Sequence, residues 1–261
     1  MKEYDKYLKL LKEKYPTKQS VYRELINLNA IMNLPKGTEH FMSDLHGEYD
    51  AFYHIINNCS GVIREKVAML YGDELTVYEQ QELCTLIYYP REKLSILMDE
   101  NKVNDEWYRN VLNQLIQIAK LLSSKYTRSK VRKAMPVDFA YIIDELIHAQ
   151  KDEDDNRSVY HRQIMETILS LHNGDEFLVA LTDLIKRLAV DHLHILGDIY
   201  DRGSHADKIL DLLMEHHSVD IQWGNHDILW MGAFCGNPVC MALVVRNNIK
   251  YKTCLLYTSP S

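Results

Sequence analysis

Proline and glycine are scarce in this chain, 6 and 10 among 261 residues, so extended linkers are not expected. No apolar run is long enough to span a bilayer. The N-terminal Met1-Lys2-Glu3-Tyr4-Asp5 is charged and lacks the apolar core of a signal peptide. The five cysteines, Cys59, Cys84, Cys235, Cys240 and Cys254, are odd in number and include no C-x-x-C pair, which reads as reduced thiols in a cytoplasmic protein. An excess of positive charge is also missing: the formal net charge of -7 argues against a general nucleic-acid surface. What remains, 46% hydrophobic and 26% charged residues, is ordinary for a globular protein. The length suits one large domain or two small ones.

The stretch that organises the rest is His192 to Gly203, H-L-H-I-L-G-D-I-Y-D-R-G. Its first half suits a short buried strand running to Leu196. Gly197 breaks the run, and Asp198, Asp201, Arg202 and Gly203 follow. A buried strand that ends in carboxylates suits a divalent cation, for which carboxylates are hard oxygen donors. The planar fork of Arg202 matches the oxygens of a phosphate. Taken alone, the stretch is equally an Asp-rich turn closed by a surface ion pair.

Two further stretches repeat the pattern. Thr38 to Ser43 reads as a strand that runs into Asp44-Leu45-His46-Gly47-Glu48, and Val219 to Trp223 as one that ends in Gly224-Asn225-His226-Asp227. In open α/β sheets, sites collect outside the carboxyl ends of the strands. Three such loops on one edge would offer Asp44, His46, Asp198 and Asn225 as metal ligands. That mixed oxygen and nitrogen set suits Mn²⁺, Fe²⁺ or Zn²⁺ more than Ca²⁺.

D-x-H, then G-D-x-x-D-R-G, then G-N-H-D, each behind a strand, resembles the ordered signature of the calcineurin-like metallophosphoesterases. The DRG ending is similar to that of serine/threonine protein phosphatases and diadenosine polyphosphate hydrolases. In those families, however, one short crossover joins the first two motifs, and here a long stretch separates them. F-M-S-D-L-H-G-E-Y-D-A-F and H-I-L-G-D-I-Y-D-R-G resemble the class III fructose-1,6-bisphosphatase of Gram-positive bacteria, which carries a long helical insertion at this place. The resemblance reaches to about Lys252.

The resemblance implies hydrolysis of fructose 1,6-bisphosphate, a small sugar bisphosphate, at a two-metal Mn²⁺ site. Asp198 would bridge the metals, Asp44 and His46 would hold the first, and Asn225 the second. Arg202 would bind the phosphoryl oxygens, His226 would protonate the leaving alkoxide, and Asp201 would orient His226. Asp227 stands where many relatives carry Glu and receives no role. The rivals are a protein phosphatase or dinucleotide polyphosphate hydrolase with an unusual insertion, and a non-catalytic helical scaffold that keeps a degenerate metal loop.

The implied fold is α/β, a partial metallophosphoesterase sheet core with a large all-helical insertion. Residues 1–37 are expected to be N-terminal helices, with apolar stripes at Tyr4, Tyr7, Leu8 and Leu11 and at Val21, Leu25, Leu28 and Met32. Residues 38–61 form the first part of the core, 62–190 the helical insertion, and 191–252 the second part. Within the insertion, Thr76-Val77-Tyr78-Glu79 is a capping box. Pro90 ends the helix it opens, Asp105 caps a long helix, Pro136 sits in a first turn, and Lys151 to Asn156 is a charged loop. A helix is expected from Asp207 to about His216, where His216 and His217 would find positive charge favoured. His192 and His194 read as hydrogen-bonded strand residues, with His194 able to support a ligand from behind. His148, His161 and His172 read as packing or surface residues. A last helix runs from Pro238 to Val245. No histidine follows His226, although the superfamily draws further ligand histidines from later strands. The chain therefore reads as a truncated N-terminal fragment, and the irregular tail over 253–261 is open to a foreign or frame-shifted origin.

Overall fold

The computed structural model describes residues 2–149 and 155–253. Two units divide the chain, Met1–Lys36 and Gly37–Ser261. The first holds helices α1 (Lys2–Lys14) and α2 (Lys18–Met32). Pro16 cannot continue α1, because it lacks an N–H and pushes its predecessor out of helical geometry. Thr17 then opens α2: its Oγ1 accepts from the Ser20 N–H and Ser20 Oγ accepts from the Thr17 N–H, both at 3.1 Å.

The second unit starts with strand β1 (Glu39–Met42) and helix α3 (Tyr49–Asn58), then turns helical: α4 (Val62–Tyr71), α5 (Val77–Tyr88), α6 (Pro90–Asp99), α7 (Asp105–Ser123), α8 (Arg128–Ala134), α9 (Ala140–Ile147), α10 (Asp155–Ser170) and α11 (Gly174–Ala189). No strand interrupts these helices among the described residues. The core lies where α7 meets α11. Leu112, Leu115, Ile118 and Leu122 recur at helical spacing on one, Phe177, Leu181, Leu184 and Ile185 on the other, and all are 0 to 1% exposed. Phe139 meets Phe177 edge-on, with ring centroids 5.3 Å apart.

Local chemistry sets the helix ends. Thr76 and Glu79 form the expected reciprocal box at the start of α5, with the Glu79 carboxylate accepting from the Thr76 N–H at 2.8 Å and Thr76 Oγ1 from the Glu79 N–H at 3.3 Å. Pro90 follows the end of α5 and is itself the first residue of α6, a position where its missing N–H costs nothing. Two expectations shift. Asn104, not Asp105, caps α7 by accepting from the Trp107 N–H at 2.8 Å, and Asp105 is the first helical residue. Pro136 stands ahead of a 3₁₀ turn, Val137–Phe139, and α9 starts only at Ala140. Of the charged stretch 151–156, the part up to 154 lies outside the described residues, and Asn156 belongs to α10.

After α11 come β2 (His192–Ile195), α12 (Ala206–Glu215), β3 (Val219–Ile221), α13 (Asn225–Phe234) and α14 (Pro238–Tyr251). α14 therefore continues beyond Val245 through Arg246, Asn247 and Asn248. The tail from 254 lies outside the described residues. No single described helix is long and apolar enough to cross a membrane. The three strands form one parallel sheet in the order β1-β2-β3, so the fold is α/β with a small sheet and a large helical content. Strands distant in sequence are thus direct neighbours, with Glu39 opposite His192 and Met42 opposite Ile195. Leu193 and Ile195, both fully buried, face Phe52 of α3 and Ile209 and Leu213 of α12 in a second core cluster. The alternation of strand side chains turns Glu39, Phe41, His192, His194 and Asp220 to the other face.

One charge expectation is overturned. The carboxyl end of α12 does not hold His216 as a cation. Burial, and next the neighbouring His217, pull its pKa down from 6.5 to about 4, because desolvation outweighs a helix-end dipole that acts only within the last turn.

Two outcomes follow for this chain. Phe177→Ala removes a fully buried ring and should cost about 3–5 kcal/mol of unfolding free energy, read from urea denaturation. His216 in the folded chain binds its proton less readily than in the unfolded chain, so between pH 6.5 and about 4 the unfolded state carries more protons. Stability should then fall as pH drops through that window, and His216→Gln should make the decline in urea midpoint shallower.

Candidate metal centre

Beyond Met42 the chain from β1 enters Ser43-Asp44-Leu45-His46-Gly47, and beyond Ile195 the chain from β2 enters Leu196-Gly197-Asp198. The two loops are laced together by backbone hydrogen bonds. The Asp44 N–H donates to the Gly197 carbonyl at 3.2 Å, the His46 N–H to the Asp198 carbonyl at 2.8 Å, and the His205 N–H to the Gly47 carbonyl at 3.2 Å. The backbones approach so closely that a Cβ on Gly203 would stand 2.3 Å from the Gly47 carbonyl carbon. Asp44, His46 and Asp198 all adopt left-handed backbone, with φ of 55°, 49° and 56°. For residues with a Cβ that conformation costs roughly 1–2 kcal/mol each, and clusters of it are typical of functional loops.

The strain turns three side chains toward one point. Asp44, His46 and Asp198 each offer a donor atom within 4.8 Å of the others, and Asp44 Oδ1 lies 3.5 Å from His46 Nε2. From the third strand, the His226 N–H donates to Asp198 Oδ1 at 3.1 Å. Gly224 lies so near that a Cβ on it would sit 2.1 Å from the same oxygen. Asn225 stands between these two contacts as the first residue of α13, exposed to solvent. Two carboxylates and an imidazole, partly open to water, are a donor set that fits a first-row divalent ion. For a second ion, the contacts among the described residues bring only Asp198 to the centre, with Asn225 in the chain between Gly224 and His226.

Beside this cluster sits an acid–base pair. The Asp201 carboxylate is 5% exposed and lies 3.3 Å from His226 Nδ1. Its other oxygen accepts from Arg202 Nε at 2.9 Å and is 3.9 Å from His46 Nε2. Arg202 is 59% exposed, and its hydrogen bond to Asp201 raises its pKa, so it remains a cation. The rings of His46 and His226 stand nearly perpendicular, 6.5 Å apart.

Asp227, given no role from sequence, holds the edge together. It is 2% exposed. One carboxylate oxygen accepts from the Asp198 N–H at 2.7 Å and the Gly224 N–H at 2.9 Å, the other from the Ile199 N–H at 2.9 Å and the Tyr200 N–H at 3.1 Å. An acidic third residue in a helix that begins after glycine was the available signal. Asp220 was also missed. It lies opposite His194 on β3 and is bonded to both strand histidines, and the alternation of Val219-Asp220-Ile221 could have pointed to it. His148, expected as a packing or surface residue, is exposed and sits 2.7 Å from the Asp144 carbonyl in the preceding turn.

A parallel α/β sheet with an aspartate–histidine cluster, a buried carboxylate and an arginine at its carboxyl edge defines a candidate metal-dependent enzyme of the α/β class. Comparison with known proteins narrows this. The chain belongs to the Firmicute fructose-1,6-bisphosphatase family, which matches residues 6–257. A class 3 fructose-1,6-bisphosphatase of Clostridium beijerinckii is 54% identical, covering 96% of this chain and 39% of its own length. Those of Listeria monocytogenes serotype 4b and Clostridium acetobutylicum are each 54% identical over 94% of this chain, and 38% and 37% of theirs. The chain thus spans about two fifths of the length of these relatives. No solved structure matches it.

Asp227→Asn replaces an oxygen acceptor by an amide donor that opposes the backbone N–H groups. It should cost on the order of 3 kcal/mol in denaturation and weaken Mn²⁺ binding measured by calorimetry at a temperature where the variant is folded. Unchanged Mn²⁺ affinity would separate Asp227 from the centre.

Proposed function

We propose that this chain carries the metal- and phosphate-handling part of a fructose-1,6-bisphosphatase, which releases phosphate from fructose 1,6-bisphosphate and leaves fructose 6-phosphate. The observation that carries the reading is the convergence of Asp44, His46 and Asp198 beside the His226–Asp201 pair, in a chain of that family. In this reading residues 38–61 and 191–252 belong to one metallophosphoesterase core, and 62–190 are a helical insertion into it.

Asp44, His46 and Asp198 would hold one divalent ion, Mn²⁺ in our reading, with Asp198 shared toward a second at Asn225. Such ions, when bound, polarise a phosphoryl oxygen and offset the charge of the transition state. Arg202 engages Asp201 through Nε and has its terminal nitrogens to bind the phosphoryl oxygens and the charge they gain. His226 turns Nδ1 to Asp201 at 3.3 Å, which fixes the orientation of the ring. Nε2 is then the atom that gives a proton to the departing sugar oxygen. Asp201, almost wholly buried, keeps this geometry without reaching the substrate.

The test uses a full-length enzyme that carries this sequence. Phosphate release from fructose 1,6-bisphosphate should depend on Mn²⁺ and exceed release from a phosphopeptide or a diadenosine polyphosphate. Preference for either of the latter would move the protein to another phosphoesterase class, and indifference to metal would favour the scaffold. Asp198→Ala should abolish most metal binding. His226→Ala should retain the metal but slow turnover by roughly 10²–10⁴-fold.

A further inference from the structure

The face of the sheet opposite α3 and α12 carries a second group of metal-ligating side chains, apart from the loops beyond the strand ends. His192 and His194 project from β2 on the same face, and the pairing of β2 with β3 sets Asp220 directly beside His194. Their donor atoms lie within 4.8 Å of one another. His194 Nδ1 is 2.9 Å and 3.0 Å from the two Asp220 oxygens, and His192 Nε2 is 3.2 Å from one of them. Around a tetrahedral ion with bonds of about 2.0–2.1 Å, donors stand about 3.3 Å apart, so both histidine–carboxylate separations are already close to that spacing and the histidine–histidine one lies within 4.8 Å.

We propose that His192, His194 and Asp220 form a second divalent-metal site, selective for Zn²⁺, that ties β2 to β3. The outward nitrogens support it. A metal-bound imidazole typically has its other nitrogen against an oxygen, which fixes the tautomer and the ring. His192 Nδ1 is 2.6 Å from Ser218 Oγ. His194 Nε2, buried and without a hydrogen-bond partner, faces the Glu39 carboxylate at 3.8 Å, a distance at which it attracts an N–H without yet holding it. Phe41 stacks on the His194 ring, with centroids 4.3 Å apart and planes 12° from parallel, and so restrains its rotation. Asp220 is 56% exposed and His192 30%, so water can reach the site and complete the coordination. Two imidazoles and one carboxylate favour Zn²⁺ over Mn²⁺, which prefers oxygen donors and stands lower in the affinity series. The site also differs from the candidate centre in position, since His194 lies within β2 and Asp198 in the loop beyond its end.

The proposal is independent of the bisphosphatase reading, and its test needs no catalysis. The first centre is disabled with His46→Ala and Asp198→Asn, and Zn²⁺ is titrated against a chromophoric chelator, with Co²⁺ absorption as a second readout. One equivalent should remain in that background, insensitive to excess Mn²⁺. Adding His192→Gln and His194→Gln should weaken it at least 100-fold, and Ser218→Ala by roughly 10–100-fold. If circular dichroism shows that the double glutamine variant is unfolded, Asp220→Asn, which preserves shape, takes its place with the same expected loss. No Zn²⁺ bound in the His46→Ala, Asp198→Asn background, or an equivalent that survives Asp220→Asn at full affinity, would overturn the site and leave Asp220 as a hydrogen-bond bridge between two histidines.

Discussion

Four backbone N–H groups converge on one buried carboxylate, that of Asp227, and the carboxyl edge of the sheet depends on this convergence. The loop after β2 turns too sharply to pair its own amides, and the first turn of α13 leaves further N–H groups without helical partners. A single anion satisfies donors from both. It thereby fixes the backbone of Asp198, whose carbonyl holds the His46 N–H and whose carboxylate holds the His226 N–H. The geometry of the candidate centre is thus inherited from a residue that does not belong to it. The left-handed backbone at Asp44, His46 and Asp198 persists because these bonds overdetermine it.

The strands, their ends and the residues beyond them were legible in the sequence, because short apolar runs stopped by glycine and acid have few other readings. His192 to Leu196 and Val219 to Trp223 came out as strands shorter by one and two residues, since the last residues of each already bend toward the loops. Asp201 and His226 were named together from the motif, and they stand 3.3 Å apart. Less was legible where a contact depends on register. The alternation of Val219-Asp220-Ile221 turns Asp220 to the open face, but only the register of β3 on β2 sets it beside His194. Composition likewise does not reveal that burial pulls down the pKa of His216, because desolvation depends on what packs over a helix end. Asp227 received no role because it stands where many relatives carry Glu, and nothing local says that this acid at a helix start also serves a neighbouring loop.

The helical residues between the two halves of the sheet have a core of their own. The cluster around Leu112, Leu115 and Phe177 is distinct from the one around Leu193, Ile195 and Ile209. The two bodies meet where the chain passes from one to the other. There the Cys59 thiol, its pKa pushed up to about 12 by burial, is 3.7 Å from the Lys186 carbonyl, and the Asp191 N–H donates to the Thr38 carbonyl at 2.8 Å. A helical body held at both ends in this way stands in the chain between two strands that still pair directly.

The same closure bears on the order in which structure forms. Pairing β1 with β2 in an open chain means bringing together segments separated by the whole helical region, and long-range parallel pairing is intrinsically slow. Helices α4 to α11 rest largely on contacts with one another and can form before any strand has a partner. Once α11 docks beside the turn at Cys59, the path from Asn58 to Asp191 is a short step through folded protein, and the entropy of closing the loop has already been spent. The helical region then acts in time as well as in space, as an internal template that delivers two distant strand ends, and the aspartates of the candidate centre beyond them, to the same place.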